Sequence, residues 1–337
     1  MKSFRLGLAA LAAFACGSIS YGEDFSSLET DRQIAEINSL TGRGGQKWVA
    51  GETSVSRLTG EDLQARVGFN FQPLNVPLMA EAELEVRAAV PAELDWRNNG
   101  GNFVPGVRDQ KKCGSCWAFA MTGGLEGYVM RGQNTGKDVD LSEQIMVSCS
   151  GVGSCNGGTL NSNYLKSDGL PPEEYYVYTA TDGNCSSAKP GWQNATYKIG
   201  SWGGVSTNVN SIKSALNKYG PLPTAMYVYE DFKHYKSGVY SYTTGKKLGG
   251  HAVLLVGYSD AEQCFIVKNS WGTGWGDTGF FKIAYSELTE GRFGISTVAY
   301  KTGGSKKELP FYQRQAESSR FDLNQAWRRV EPILPLR

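Results

Sequence analysis

The stretch Asp109-Gln110-Lys111-Lys112-Cys113-Gly114-Ser115-Cys116-Trp117-Ala118-Phe119, with the residues just after it, constrains this chain more than any other. Trp117, Met121, Leu125, Tyr128 and Val129 recur at i, i+4, i+8, i+11 and i+12, the spacing of one buried helix face. The Gly123-Gly124 pair inside that pattern costs about 1 kcal/mol per glycine relative to alanine, so tertiary packing must hold the helix. Cys116 stands at its start. Unpaired backbone N–H groups and the helix dipole favour a thiolate there, which makes Cys116 a nucleophile in need of a base.

The chain carries 2 histidines, His234 and His251, so any Cys–His pair must use one of them. His251 opens an apolar run to Tyr258 that follows Gly249-Gly250 and reads as a strand. A second strand pattern, Cys264-Phe265-Ile266-Val267-Lys268, ends in Asn269-Ser270-Trp271-Gly272. Adjacent strands of this kind set Asn269 beside His251, where an amide orients the imidazole without adding charge and Trp271 shields the hydrogen bond. His234, in Asp231-Phe232-Lys233-His234-Tyr235, reads as a solvated surface residue.

Charge and leader narrow the class. With 34 Lys and Arg against 33 Asp and Glu, the net charge of +1 argues against nucleic acid or an anionic membrane as partner. The basic start Met1 to Arg5 and the apolar run Leu6 to Cys16 read as a secretory signal over 1–22, cut between Ala15 and Gly22, and so as export. The run is too short to span a bilayer. Of 7 cysteines, Cys16 would leave with the signal. Cys113, Cys116, Cys149, Cys155, Cys185 and Cys264 then allow either three bridges, or two bridges, a reactive thiol and a spare. A redox C-x-x-C site at Cys113 and Cys116 would need a βαβ setting and leave His251 and Asn269 without a role. A zinc site from Cys113, Cys116, Cys149 and Cys155 lacks a second short pair.

At these residues the chain resembles the papain-like cysteine peptidases, whose signature is Cys-Gly-[Ser/Ala]-Cys-[Trp/Tyr] with His and Asn ~130–150 residues downstream. His251 and Asn269 lie 135 and 153 residues after Cys116. Leu94-Asp95-Trp96-Arg97, Leu141-Ser142-Glu143-Gln144 and Cys155-Asn156-Gly157-Gly158 match further family segments. The resemblance implies an α+β papain-like two-lobe fold, a helical left lobe and a β-barrel-like right lobe with the active-site cleft between them. It implies that Cys116 attacks a peptide carbonyl as a thiolate paired with the His251 imidazolium, giving a thioester, and that Asn269 orients His251. Gln110 and the Cys116 backbone N–H would bind the oxyanion. Gly157 and Gly158 would hold an extended substrate, Leu160, Ala225 and Val298 would line an apolar pocket, and Trp271 would flank the site. By the same resemblance Cys113 pairs with Cys155 and Cys149 with Cys185, Cys264 stays a buried free thiol, and no metal or cofactor is implied.

The domain reading is a signal at 1–22, a propeptide at 23–88, a peptidase domain at 89–302 and a basic C-terminal extension at 303–337. Ile34, Ile37-Asn38, Trp48-Val49-Ala50-Gly51, Leu63 and Gly68 resemble the short cathepsin B-type propeptide, with a cut expected near Arg87–Val90. The paired histidines of the cathepsin B occluding loop are missing, so an open cleft and endopeptidase action are expected. Ile212, Ala215, Leu216 and Tyr219 form a packing face closed by Gly220-Pro221. Leu323, Ala326, Trp327 and Val330 form a similar face in the extension. The expected partners are polypeptide substrates and the chain's own propeptide, on a monomer with no nucleic acid and no membrane segment after signal removal. The alternative is a catalytically silent papain-fold binding protein, against which stand the four filled positions Cys116, His251, Asn269 and Gln110.

Overall fold

The computed structural model describes residues 21–84, 90–133 and 139–302. Nearly all of the expected leader, the cut near Arg87–Val90 except Val90 itself, and the helix face at 323–330 lie outside the described residues. The helices are α1 (Tyr21–Gly44), α2 (Gly60–Gln64), α3 (Glu81–Leu84), α4 (Cys116–Gln133), α5 (Glu143–Cys149), α6 (Asn163–Ser167), α7 (Val209–Tyr219) and α8 (Tyr285–Thr289). The strands of the N-terminal half are β1 (Lys47–Ala50), β2 (Glu93–Asp95), β3 (Gly153–Ser154) and β4 (Gly157–Gly158). Those of the C-terminal half are β5 (Ser201–Gly204), β6 (Leu222–Tyr229), β7 (Tyr235–Tyr240), β8 (Lys247–Ser259), β9 (Cys264–Lys268), β10 (Phe280–Ala284), β11 (Phe293–Ile295) and β12 (Val298–Lys301).

Local chemistry sets several of these limits. The Ser142 hydroxyl accepts from the Ile145 N–H at 3.1 Å and starts α5, and Asn208 Oδ1 accepts from the Ser211 N–H at 2.8 Å to start α7. Helix α7 ends at Gly220, whose φ of 93° only glycine adopts freely. Its Ile212, Ala215 and Leu216 are buried, and Tyr219 packs partly against the same core.

The β-rich lobe is one sheet in the order β1-β7-β10-β9-β8-β6-β11, with β2 added on β8. The sheet stays open, because β1 and β11 end the path without pairing each other. Strand β8 pairs antiparallel with β9 (Leu254↔Lys268) and with β6 (Met226↔His251). Its core is aromatic: Phe232 lies 4.9 Å from Trp275 and 5.0 Å from Phe281 between ring centroids. Trp48 of β1 joins it, 5.1 Å from Tyr240, so the N-terminal segment contributes to this core as well as to the sheet edge. Aromatic pairs at such spacing add about 0.5–1.5 kcal/mol each beyond area burial.

The helical lobe has its own core, formed by Trp117, Met121 and Leu125 of α4 with Ile145, Met146 and Leu165. The Gly123-Gly124 pair has a packing reason: a Cβ on Gly124 would lie 2.7 Å from Pro223 Cγ and 2.9 Å from the Tyr300 ring. Glycine therefore lets the helix lie close against β6 and β12, and that contact offsets its poor propensity. Helix α4 is the seam between the lobes, with Cys116 at its first turn.

One expectation fails here. His234 is 1% exposed, not a solvated surface residue. The turn Glu230–His234 is covered by α1 and by residues 51–56, and both ring nitrogens are bonded to that cover. A polar run such as Asp231-Phe232-Lys233-His234 looks exposed when the segment that roofs it is ~180–200 residues away in sequence.

Candidate active site

Cys116 is fully buried, and its Sγ accepts the Ala252 backbone N–H at 3.3 Å. That bond sets the residue after His251 directly on the sulfur, which is what pairing β8 along the flank of α4 achieves. Backbone N–H groups of Gly68, Trp117 and Cys116 itself also face the thiol. His251 Nε2 lies 2.7 Å from Asn269 Oδ1, which also accepts the Ser270 N–H at 2.8 Å. The Trp271 ring lies 5.0 Å from the imidazole, tilted by 38°, and shields this bond from solvent. Among the described residues, His251 Nδ1 and Asn269 Nδ2 are buried polar atoms with no hydrogen-bond partner.

Gln110 is held on three sides. Its backbone N–H donates to the Ser270 carbonyl at 2.9 Å, the Ser270 hydroxyl donates to its Oε1 at 2.7 Å, and the Tyr178 hydroxyl donates to its carbonyl at 2.9 Å. Its Nε2 is left to donate to the Cys113 carbonyl at 3.0 Å and, more weakly, to the Ala65 carbonyl at 3.5 Å. The disulfides Cys113–Cys155 and Cys149–Cys185 are both present, and Cys116 and Cys264 are free and buried. The first bridge also brings Gly114 to the 155–158 loop, where its N–H donates to the Cys155 carbonyl at 2.8 Å.

The cleft is filled by residues 65–71 of the chain itself. The Gly158 N–H donates to the Gly68 carbonyl at 2.9 Å, the Asn70 N–H to the Gly158 carbonyl at 2.8 Å, and the Phe69 N–H to the Gly250 carbonyl at 2.9 Å. Phe69 and Gly158 form a parallel bridge. The Phe69 side chain is 4% exposed and packs in one cluster with Leu160, Ala225, Ala252 and Val298. Gly157 lies beside the same segment, since a Cβ on it would approach the Gly68 carbonyl at 2.9 Å. Trp271 does not join the apolar pocket; it stands on the other wall, where its indole N–H donates to the Arg66 carbonyl at 3.2 Å. Arg66 pairs with Asp109 at 2.5 Å and Lys112 with Asp62 at 2.9 Å, fastening the segment beside the nucleophile.

Burial under this segment sets the charges. It pushes the Cys116 thiol up to about 11, against the pull of the surrounding N–H groups, and the His251 imidazole down to about 4. In this closed form burial disfavours the charged state of both groups. The sequence reading passed over Ser270 and Tyr178 as supports of Gln110, and although it expected the N-terminal segment, Gly68 included, to cross the cleft, it did not single out residues 65–71 as the stretch that does so. The aromatic pair Phe69 and Phe71, after a glycine in an otherwise polar stretch, was the available signal for the latter.

Residues 90–301 match the papain family cysteine protease domain, and the chain belongs to that family as a papain-like cysteine peptidase. Among its relatives, it is 40% identical to a cathepsin L-like proteinase of Fasciola hepatica over 205 residues, 58% of this chain and 61% of that protein. It is 32% identical to the thiol protease aleurain of Arabidopsis thaliana over 309 residues, 85% of this chain and 82% of that one. Among solved structures it resembles the digestive procathepsin L2 proteinase of Tenebrio molitor larval midgut with a TM-score of 0.71 at 28% identity, covering 85% of this chain and 96% of that chain.

Proposed function

We propose that this chain is an exported cysteine endopeptidase made as a latent zymogen, with residues 23–88 as its inhibitor and 89–302 as the peptidase. The observation that carries the reading is the seven-residue stretch 65–71 lying in the cleft, bonded through its backbone to Gly158 and Gly250 with Phe69 buried beside Leu160, Ala225 and Val298. Held there, the segment occupies the place that an extended substrate would take.

With the segment gone, water returns to the cleft and the desolvation that disfavours the charged pair is lifted. Cys116 Sγ then attacks the substrate carbonyl carbon, and the oxyanion is held by the Cys116 N–H and by Gln110 Nε2, freed from Ala65. His251, oriented by Asn269, gives a proton to the leaving amine as the C–N bond breaks and the thioester forms. A water molecule, deprotonated by His251, attacks the thioester and returns the thiol. Gly158 offers its N–H and carbonyl to an extended substrate, and the pocket of Leu160, Ala225 and Val298 takes an apolar or aromatic side chain, as it now takes Phe69. The absence of an occluding insertion after Gly158 supports cleavage inside chains. The amino-terminal leader pattern supports export to an oxidising compartment, in keeping with the two disulfides.

The test is a peptide panel with the trimmed protein. Internal cuts that follow an apolar residue at the second position before the bond, abolished by Cys116→Ala, are the expected result. Removal of terminal dipeptides alone would overturn the endopeptidase reading, and no hydrolysis at all would favour a silent binding protein.

A further inference from the structure

His234 is the histidine that the peptide-cutting chemistry does not use, and it stands where the peptidase domain meets two separate parts of the N-terminal segment. Its Nε2 lies 2.9 Å from Gln33 Oε1 on α1, and its Nδ1 lies 3.0 Å from Ser56 Oγ. The tautomer follows from the partners. Gln33 Nε2 donates to the Glu29 carboxylate at 2.8 Å, so Gln33 Oε1 is the atom that faces His234 and can only accept. The proton therefore sits on Nε2, and Nδ1 accepts the Ser56 hydroxyl. Ser56 Oγ in turn accepts the Thr53 N–H at 2.9 Å, and the Thr53 hydroxyl donates to the Lys233 carbonyl at 2.7 Å. One neutral ring thus joins a chain of bonds that crosses from α1 through the peptidase turn to residues 53–56.

A second proton would disturb that chain. Nδ1–H would drive the Ser56 hydroxyl proton away, and a positive ring would be buried beside Lys233. Among the described residues, the neighbouring acids are engaged elsewhere. On α1, Glu29 and Glu36 are engaged by Arg32. On the covering loop Glu52 is paired with Arg57. In the turn itself Glu230 Oε2 accepts the Lys246 N–H, and Asp231 accepts from the Tyr240 hydroxyl and the Thr243 and Thr244 amides. Lys236 on β7 adds only positive charge. A cavity of about 530 Å³, lined by Gln33, Glu36, Leu63, Lys233 and His234 among others, gives water a route to the ring.

We propose that His234 is a proton-operated latch for the N-terminal segment: neutral, it ties Gln33 and Ser56 to the peptidase domain, and protonated, it lets both go. The proposal rests on the reading of residues 23–88 as the inhibitor. Burial, with Lys233, holds His234 down to about 4 against an ordinary 6.5. A group lowered by docking leaves docking undiminished above pH 6.5 and weakens it as pH falls toward 4.

The test uses the full chain carrying Cys116→Ala, so that nothing is self-processed. Amide hydrogen exchange across residues 47–58 and the His234 ring shift are followed from pH 7 to pH 4; the only other ring signal is that of His251. Opening that coincides with ring titration, and a midpoint lowered by at least one pH unit in His234→Gln but unmoved in Asp231→Asn, is expected. An unmoved midpoint in His234→Gln, or one that shifts only in Asp231→Asn, overturns the latch. If His234→Gln is already open at pH 7, the parent decides: a ring that titrates near 6.5 while residues 47–58 stay protected overturns it, and coincident titration and opening supports it. The inhibitor reading fails separately, if the Cys116-containing full chain hydrolyses peptides at pH 7 with the segment still protected.

Discussion

Gly68 lies flat against Gly114: a side chain on Gly68 would overlap the Gly114 carbonyl. The backbone of the covering segment thus passes Cys116 through a gap that has no room for a Cβ. Gly68→Ala in the full chain is expected to cost about 1–3 kcal/mol of docking by overpacking, and so to raise the rate of Cys116 alkylation at pH 7 by about 10- to 10²-fold. The trimmed domain made from the same gene is expected to be unchanged, since residue 68 has left it. Equal alkylation of parent and variant full chains would show that the segment is not held by this approach.

Gln110→Ala tests the oxyanion site. Loss of one such donor is expected to lower kcat by about 10²–10³-fold. Alkylation of Cys116 in the trimmed variant is expected to stay within a few-fold of the parent, because alkylation forms no oxyanion. A parallel fall in both rates would point to a displaced helix α4 instead.

Ser270→Ala tests a positioning residue that only the structure reveals. Its hydroxyl fixes the Gln110 amide at 2.7 Å, which turns Nε2 toward the site. Losing it is expected to lower kcat about tenfold with KM little changed, since a misaimed donor costs in the transition state. No further loss is expected when Ser270→Ala is added to Gln110→Ala, and that non-additivity is the readout a merely structural role would not give.

The disulfides and the free thiol are expected to part company in stability. Cys149→Ala with Cys185→Ala, which opens a bridge of sequence separation 36, is expected to cost about 2–4 kcal/mol. Cys264→Ala removes only a small buried side chain, for which about 1 kcal/mol is expected, with activity unchanged. Denaturant midpoints of the trimmed domain decide both.

What could be read from the sequence was set by short-range order. The apolar spacing from Trp117 to Val129 does mark helix α4, but the helix is buried on every side from residue 116 to 127, and Tyr128 of the expected face is only partly buried. The two apolar runs after His251 and from Cys264 are paired strands. Strand β8 starts four residues before His251, at Lys247, because Gly249 and Gly250 pair with Val228 and Tyr227 of β6; glycines carry no strand signal of their own. The burial of His234 and the desolvation of Cys116 and His251 were not legible for one common reason. Each depends on residues of the N-terminal segment laid over a surface some 50–200 positions away, and polarity patterns report local faces, not distant covers.

The most direct test of the central claim is thiol alkylation of native protein, followed by intact mass, in the full chain and after removal of the N-terminal segment, with peptide hydrolysis measured alongside. In the full chain, with Cys116 held up at about 11 by burial, slow labelling at pH 7 that rises about tenfold per pH unit is expected. In the trimmed protein a single rapid label on Cys116 at neutral pH, with hydrolysis lost in step, is expected. Rapid labelling of Cys116 in the full chain, or a trimmed protein that labels without ever hydrolysing a peptide, would contradict the account of a latent cysteine peptidase.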